Sequence, residues 1–251
     1  LTLTGSAAAN YTLTQPTGLT ANITAAGLTV SGITANNKVY DGTTAAAIST
    51  NGYNLNGLVS GDAGKVSLGT NGYTAGFASA GVSNGIAVSV SGLTLTGSAA
   101  ANYTLTQPTG LTANITAAGL TVSGVTANSK VYDGTTAATI STNGYNLNGV
   151  VSGDAGKVSL STNGYTAGFA SAGVSNGTAA SVSGLTLTGS AAANYTLTQP
   201  TGLTANITAA GLTVSGVTAN SKVYDGTTAA TISTNGRSEE RRVGKECSVA
   251  C

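Results

Sequence analysis

The 251-residue chain contains no histidine, methionine or tryptophan, and every arginine, glutamate and cysteine it has lies in its last fifteen residues. Each absence excludes something. Without histidine, and with two aspartates per repeat unit set 21 positions apart, the usual general acids, bases and activated nucleophiles are nearly missing, so catalysis is not expected. Without cysteine in the remainder, that part must hold together without cross-links, and no cofactor or metal ligand set suggests itself. Five lysines (38, 65, 130, 157, 222) balance five aspartates (41, 62, 133, 154, 225), so the body is formally neutral. A neutral surface cannot displace the counterions of a phosphate backbone, so nucleic acid is not an expected partner. No apolar run approaches a membrane span, and no membrane insertion is expected of these residues.

What the chain has is repetition. Lys-Val-Tyr-Asp-Gly-Thr-Thr occurs three times, with Tyr40, Tyr132 and Tyr224 at steps of 92 residues. Leu1, Leu93 and Leu185 open Leu-Thr-Leu-Thr-Gly at the same step, as do Pro16, Pro108 and Pro200 in Gln-Pro-Thr-Gly. Solenoid repeats run to roughly 20–50 residues, so a unit of this size is read as a small domain with its own core. With the unit opened at Leu28, the complete copies are 28–119 and 120–211. Residues 1–27 are then the end of an earlier copy and 212–236 the start of a later one, so the first residue is not expected to be a biological start. The two complete copies differ at seven positions, among them Ile33/Val125, Leu58/Val150 and Ile86/Thr178. Residues 237–251 break both period and composition, and Arg-Ser-Glu-Glu-Arg-Arg-Val-Gly-Lys-Glu-Cys (237–247) resembles the read-through translation of a sequencing adapter.

Within a unit, bulky apolar residues alternate with threonine, serine or alanine, as in Leu28-Thr-Val-Ser and Ile86-Ala-Val-Ser-Val, which is the pattern of half-buried strands. The phase of the alternation changes across Ser91-Gly92, so a strand continuous through it would need a bulge there. Turn pairs such as Asn51-Gly52, Asn56-Gly57, Asn71-Gly72 and Asn84-Gly85 punctuate the unit, predicting about eight short strands and almost no helix. The fold expected is all-β, with β-sandwich-like modules in tandem, arranged end to end because the junction at 115–125 has no proline and no charged stretch. A β-solenoid is the alternative, suggested by the echo of Thr50-Asn-Gly-Tyr53 in Thr70-Asn-Gly-Tyr73. Large apolar residues and tyrosines are sparse, so the core should be thin.

Lys38, Tyr40, Asp41 and Gly42 form the most distinctive group, repeated as Lys130, Tyr132, Asp133 and Gly134 and as Lys222, Tyr224, Asp225 and Gly226. One aspartate without neighbouring carboxylates is poor calcium chemistry, so the motif reads as a structural turn, with Asp41 bonding local backbone and Tyr40 on the core. Asp62-Ala-Gly-Lys65 reads as a solvated turn with an exposed ion pair. Tyr53, Tyr73, Tyr145 and Tyr165, beside Asn-Gly turns, are the candidates for stacking a ligand; otherwise they fill the core. Asn10, Asn22, Asn102, Asn114, Asn194 and Asn206 match the N-glycosylation pattern, a match that a chain rich in asparagine and threonine produces easily by chance.

At Lys38–Thr44, 130–136 and 222–228, and again in Asn102-Tyr-Thr-Leu-Thr-Gln-Pro-Thr-Gly-Leu-Thr-Ala-Asn-Ile-Thr116, residues 1–236 resemble the YDG repeat of large secreted adhesins related to filamentous haemagglutinin in Gram-negative bacteria. The resemblance implies export, display at the cell surface, and a repetitive region that projects a more distal binding region, with no catalytic or cofactor residues. The expected function is therefore a structural stalk whose partners are neighbouring repeats of the same chain. The alternative is a module that grips host glycans or glycoproteins weakly and gains strength by repetition.

Overall fold

A computed structural model describes residues 1–234. The chain divides into two compact units between Thr116 and Ala117. The first contains eleven strands: β1 (Ala26–Ser31), β2 (Thr34–Ala35), β3 (Lys38–Val39), β4 (Ile48–Ser49), β5 (Asn54–Asn56), β6 (Ser67–Gly69), β7 (Thr74–Phe77), β8 (Ser83–Ser91), β9 (Thr94–Thr96), β10 (Tyr103–Thr106) and β11 (Leu111–Thr116). The second repeats them 92 residues later, from β12 (Ala118–Ser123) to β22 (Leu203–Thr208). Helix among the described residues is confined to three-residue 3-10 turns such as Ser60–Asp62 and Ala100–Asn102. The fold is all-β, as the alternation predicts.

Two sheets make the first unit. A three-stranded sheet has the order β10-β1-β5, with β1 parallel to β10 (Leu28 opposite Leu105) and antiparallel to β5 (Val30 opposite Leu55). A four-stranded sheet has the order β3-β11-β8-β7, with β3 parallel to β11 and the other pairs antiparallel. Two bent hairpins join them. β1 turns at Gly32 into β2, while its partner β5 is reached from β4 through the Asn51-Gly52 turn. In the same way β8 turns at Gly92 into β9, and β7 is reached from β6 through Asn71-Gly72. β2 lies against β11 and β9 against β10, so each hairpin starts in one sheet and finishes beside the other, and the sheets curl.

These corners require glycine. A Cβ on Gly32 would lie 2.5 Å from the Gly52 carbonyl oxygen, and one on Gly92 would lie 3.2 Å from that of Gly72; both glycines have φ near +78°. The glutamine of Gln-Pro-Thr-Gly fastens the second corner: Gln107 Oε1 accepts from the Leu93 N–H at 3.0 Å, and its Nε2 donates to the Leu93 carbonyl at 2.9 Å. Gln199 and Leu185 repeat the clamp.

Two features depart from expectation. The strand count is eleven rather than about eight, because the corners cut four long strands in two; counted through the corners there are seven. The echo of Thr50–Tyr53 in Thr70–Tyr73 marks the two equivalent corners and not the rungs of a solenoid, since pairing joins β1 to β10 and β3 to β11 across most of the unit.

The core is thin and divided. Leu28, Val66, Ala99 and Tyr103 form one cluster with Leu55, Leu58, Leu95 and Leu105. In the second unit Phe169, Ala180, Ala205 and Ile207 cluster with Tyr132 and Leu203. The counterparts of each set, Leu120, Val158, Ala191 and Tyr195, and Phe77, Val88, Ala113 and Ile115, are also buried, so each unit carries both clusters. The incomplete copies lack this cover. Ile115 is 1% exposed but its equivalent Ile23 is fully exposed, and Tyr11, Leu212, Val214 and Tyr224 are likewise uncovered. Residues 212–234 retain one short ladder, β23 (Val217–Ala219) with β24 (Ile232–Thr234). Residues 237–251, with the adapter-like stretch, lie outside the described residues.

Candidate functional site

The Lys-Val-Tyr-Asp-Gly-Thr-Thr motif begins on β3 and leaves it in a turn that closes on the edge of β7. Asp41 Oδ1 accepts from the Thr43 N–H at 2.8 Å and from the Thr43 hydroxyl at 2.9 Å, the local carboxylate-to-backbone turn that aspartate favours. Lys38 Nζ donates to the same Oδ1 at 2.7 Å and to the Thr43 carbonyl at 2.7 Å. Its ammonium also stands 5.6 Å from the centre of the Phe77 ring. The Phe77 N–H donates to the Thr44 carbonyl, and the Tyr40 N–H donates to Thr116, so the motif joins β11 on one side to β7 on the other. Gly42, with φ +77°, makes the turn.

Lys130, Tyr132, Asp133 and Gly134 reproduce this arrangement, with the ion pair at 2.8 Å and Lys130 Nζ 5.9 Å from the centre of the Phe169 ring. The third copy separates local from tertiary causes. Lys222 still meets Asp225 at 2.8 Å and Asp225 still accepts from the Thr227 N–H, with Gly226 at φ +75°, yet Tyr224 is 93% exposed where Tyr40 is 8%. The turn is encoded within the heptapeptide; the burial of its tyrosine is supplied by the rest of the unit.

The lysine hydrogen bond, with the Thr43 N–H adding to it, holds the Asp41 carboxyl at about 2, below its ordinary 3.8, and Lys130 does the same for Asp133. Such a carboxylate contributes stability above the unfolded value and loses it as pH falls through the folded value. Between about pH 4 and pH 2, the melting temperature of the protein should therefore fall more steeply than that of the Asp41→Asn/Asp133→Asn variant, as followed by circular dichroism. Equal slopes would remove the motif's aspartates as the source.

The Asp62-Ala-Gly-Lys65 turn is exposed, but its aspartate has a second role. Lys65 approaches Asp62 only to 3.7 Å, and the carboxylate's closer partner is the Tyr103 hydroxyl, which donates to Oδ2 at 2.9 Å while accepting from the Val59 N–H. In the second unit Asp154, donated to by Tyr195 at 2.8 Å, is 7% exposed. Burial, with the neighbouring carboxylate adding, pushes both tyrosine hydroxyls up. Ala63, Gly64 and Lys65 form the exposed turn that the sequence suggests, while the aspartate, half-buried in the first unit and buried in the second, latches the loop to β10. The latch's partners lie 41 residues apart, a separation to which no local pattern points.

Tyr53, Tyr73, Tyr145 and Tyr165 are half-buried at the corners. The hydroxyls of Tyr53 and Tyr145 accept from the Leu68 and Leu160 N–H groups at 3.1 Å, which ties them to the first strand of the second corner. Among the asparagine sequons, Asn102 ends the 3-10 turn before β10, while the Asn114 and Asn206 side chains accept from the Gly85 and Gly177 N–H groups at 2.8 Å. Among the described residues there is no group of three or more His, Cys, Asp or Glu that could hold a metal, and no helix long and apolar enough to cross a membrane.

An all-β unit closed by a Lys-Tyr-Asp-Gly turn and present in tandem defines a repeat-module protein. The YDG domain family matches residues 24–110 and 116–202, and the chain belongs to that family. No curated protein and no solved structure matches it.

Proposed function

We propose that the repeats are the stalk of a filamentous-haemagglutinin-like adhesin displayed on a Gram-negative cell surface, and that they act as spacers rather than as an enzyme. The observation that carries this reading is the junction: β11 ends at Thr116 and β12 starts at Ala118, so Ala117 alone connects two near-identical units. A one-residue connection has none of the length or composition of a flexible linker, and the repeats' formal neutrality adds no like-charge repulsion between copies, which supports a spacer. Copy number then sets reach. Small-angle X-ray scattering on residues 26–208 and on 26–116 tests this: a stalk requires the maximum dimension of the pair to be about twice that of the single unit, from strands rising about 3.3 Å per residue. A pair no longer than its single unit refutes the stalk.

Weak multivalent binding of host glycans is the second reading, favoured by the outer face of the β10-β1-β5 sheet. There Thr106, Thr29 and Asn56 stand in one register row, with Ser31 and Asn54 in the next, all exposed and uncharged. Glycan binding by the whole chain that disappears when Tyr53, Tyr73, Tyr145 and Tyr165 are all changed to alanine, while melting is unchanged, would favour it; lost stability would assign those tyrosines to packing.

A further inference from the structure

Eight Asn-Gly pairs lie in the two units, and the structure places them in two chemically different environments. Asn51, Asn71, Asn143 and Asn163 occupy the corner turns, are exposed, and make no side-chain hydrogen bond among the described residues; nor do the N–H groups of the glycines that follow them. Asn56 and Asn148 are held in strands: Asn56 Nδ2 donates to Ser31 Oγ at 3.0 Å and its Oδ1 accepts from Asn54, and Asn148 is bound likewise by Ser123 and Asn146. After Asn84 and Asn176 the glycine N–H itself is taken, by Asn114 and Asn206 Oδ1 at 2.8 Å.

We propose that the four corner asparagines are sites of spontaneous deamidation in the folded protein, and that the other four are protected. The reaction needs the backbone nitrogen of the glycine to reach the asparagine carboxamide carbon. That nitrogen attacks Cγ and yields its proton to water, the Cγ–Nδ2 bond breaks, and ammonia leaves a five-membered succinimide. Water then adds to one imide carbonyl and the ring opens to aspartate or isoaspartate. No oxidant or reductant takes part; an amide and a water become a carboxylate and ammonium. A glycine without a Cβ leaves its nitrogen open to this approach, whereas a nitrogen already donating to Asn114, or a carboxamide pinned between Ser31 and Asn54, must first give up its hydrogen bonds.

The consequence is electrostatic and local. Each complete unit carries two lysines and two aspartates and is neutral, so two deamidated corners make it dianionic. Isoaspartate also lengthens the main chain at a corner where the Gly52 carbonyl already packs against Gly32, so the corner must open.

Trypsin makes the test self-controlled, because fragments 39–65, 66–130, 131–157 and 158–222 each contain one corner asparagine and one protected asparagine. The whole chain is held at neutral pH, digested at intervals, and each position is scored by tandem mass spectrometry. Within every fragment the corner site should convert about fivefold faster or more, the factor that one hydrogen bond of ordinary strength imposes, and the ratio should approach one in denaturant. Asn114→Ala, which frees the Gly85 N–H, should speed conversion at Asn84 and leave Asn51 unchanged. Equal or reversed rates in the folded chain, or an Asn84 rate that ignores Asn114→Ala, overturn the proposal.

Discussion

Gly97→Ala is expected to destabilise the first unit by about 3 kcal/mol or more, and Gly5→Ala by much less. Both glycines end Leu-Thr-Leu-Thr-Gly, and both have strongly positive φ, +109° and +116°. The left-handed backbone penalises any Cβ by roughly 1–2 kcal/mol, and both substitutions incur it. Only Gly97 adds a collision. Its Cβ would fall inside contact distance of the Lys65 carbonyl oxygen, which also accepts from the Ala99 N–H, whereas nothing lies within 4 Å of the corresponding point on Gly5. Backbone cannot step aside as a side-chain tip can, so β9 must lift from β6 and carry Ala99 and Tyr103 with it. That loosens the cluster around Leu28 and pulls on the Tyr103–Asp62 latch. Gly64→Ala, with φ +77° and open space, gives the strain alone and should resemble Gly5→Ala. Thermal unfolding of the three variants measures the difference, and equal shifts for Gly97 and Gly64 would show that the close approach carries no weight.

That comparison also marks how much of the fold was legible in the sequence. Strands and turns follow from alternation and from Asn-Gly pairs because both are local. The phase change at Ser91-Gly92 is met by a corner and not by a bulge in a continuous strand: β8 ends at Ser91 and β9 starts at Thr94 with a different partner, while the register shift on β8's other side lies between Ala113 and Ile115 of β11. Pairing of β1 with β10 leaves no such mark: a strand's pattern records which face is buried but not which strand lies beside it. For the same reason the two-corner design was hidden behind an echo that a solenoid would produce equally well. A strictly periodic sequence also carries no sign of where a unit opens: Leu28 is one choice of phase among many, and the units part between Thr116 and Ala117. At the candidate site, the Asp41–Thr43 turn was readable because its partners lie two residues apart. Phe77 under Lys38, and Tyr103 on Asp62, are brought in by topology from 39 and 41 residues away.

Thr178→Ile is expected to stabilise the second unit by about 2 kcal/mol, and Thr178→Ile/Ala180→Val by about 3. The two units are each other's control, since they share every strand register around this position: Ile86 faces Ala113 and Val88 faces Leu111 in the first, Thr178 faces Ala205 and Ala180 faces Leu203 in the second. Ile86 and Val88 are buried on the inner face of β8. At the equivalent place Thr178 Oγ1 is shut off from solvent with no hydrogen-bond partner. Leaving a hydroxyl so placed costs about 1–3 kcal/mol, and each missing buried methylene forfeits roughly 0.8 kcal/mol more. Because the first unit already accommodates isoleucine and valine in this register, restoring them should not overpack the core. For a domain of this size about 2–3 kcal/mol corresponds to a rise on the order of 10 °C in the melting temperature. Calorimetry of the whole chain should therefore show a lower transition from the second unit that climbs toward the first in Thr178→Ile/Ala180→Val. Ile86→Thr/Val88→Ala should bring the first down to meet the second. If Thr178→Ile leaves the lower transition where it is, the buried hydroxyl has found a partner, and sequence drift between the copies is neutral even at core positions.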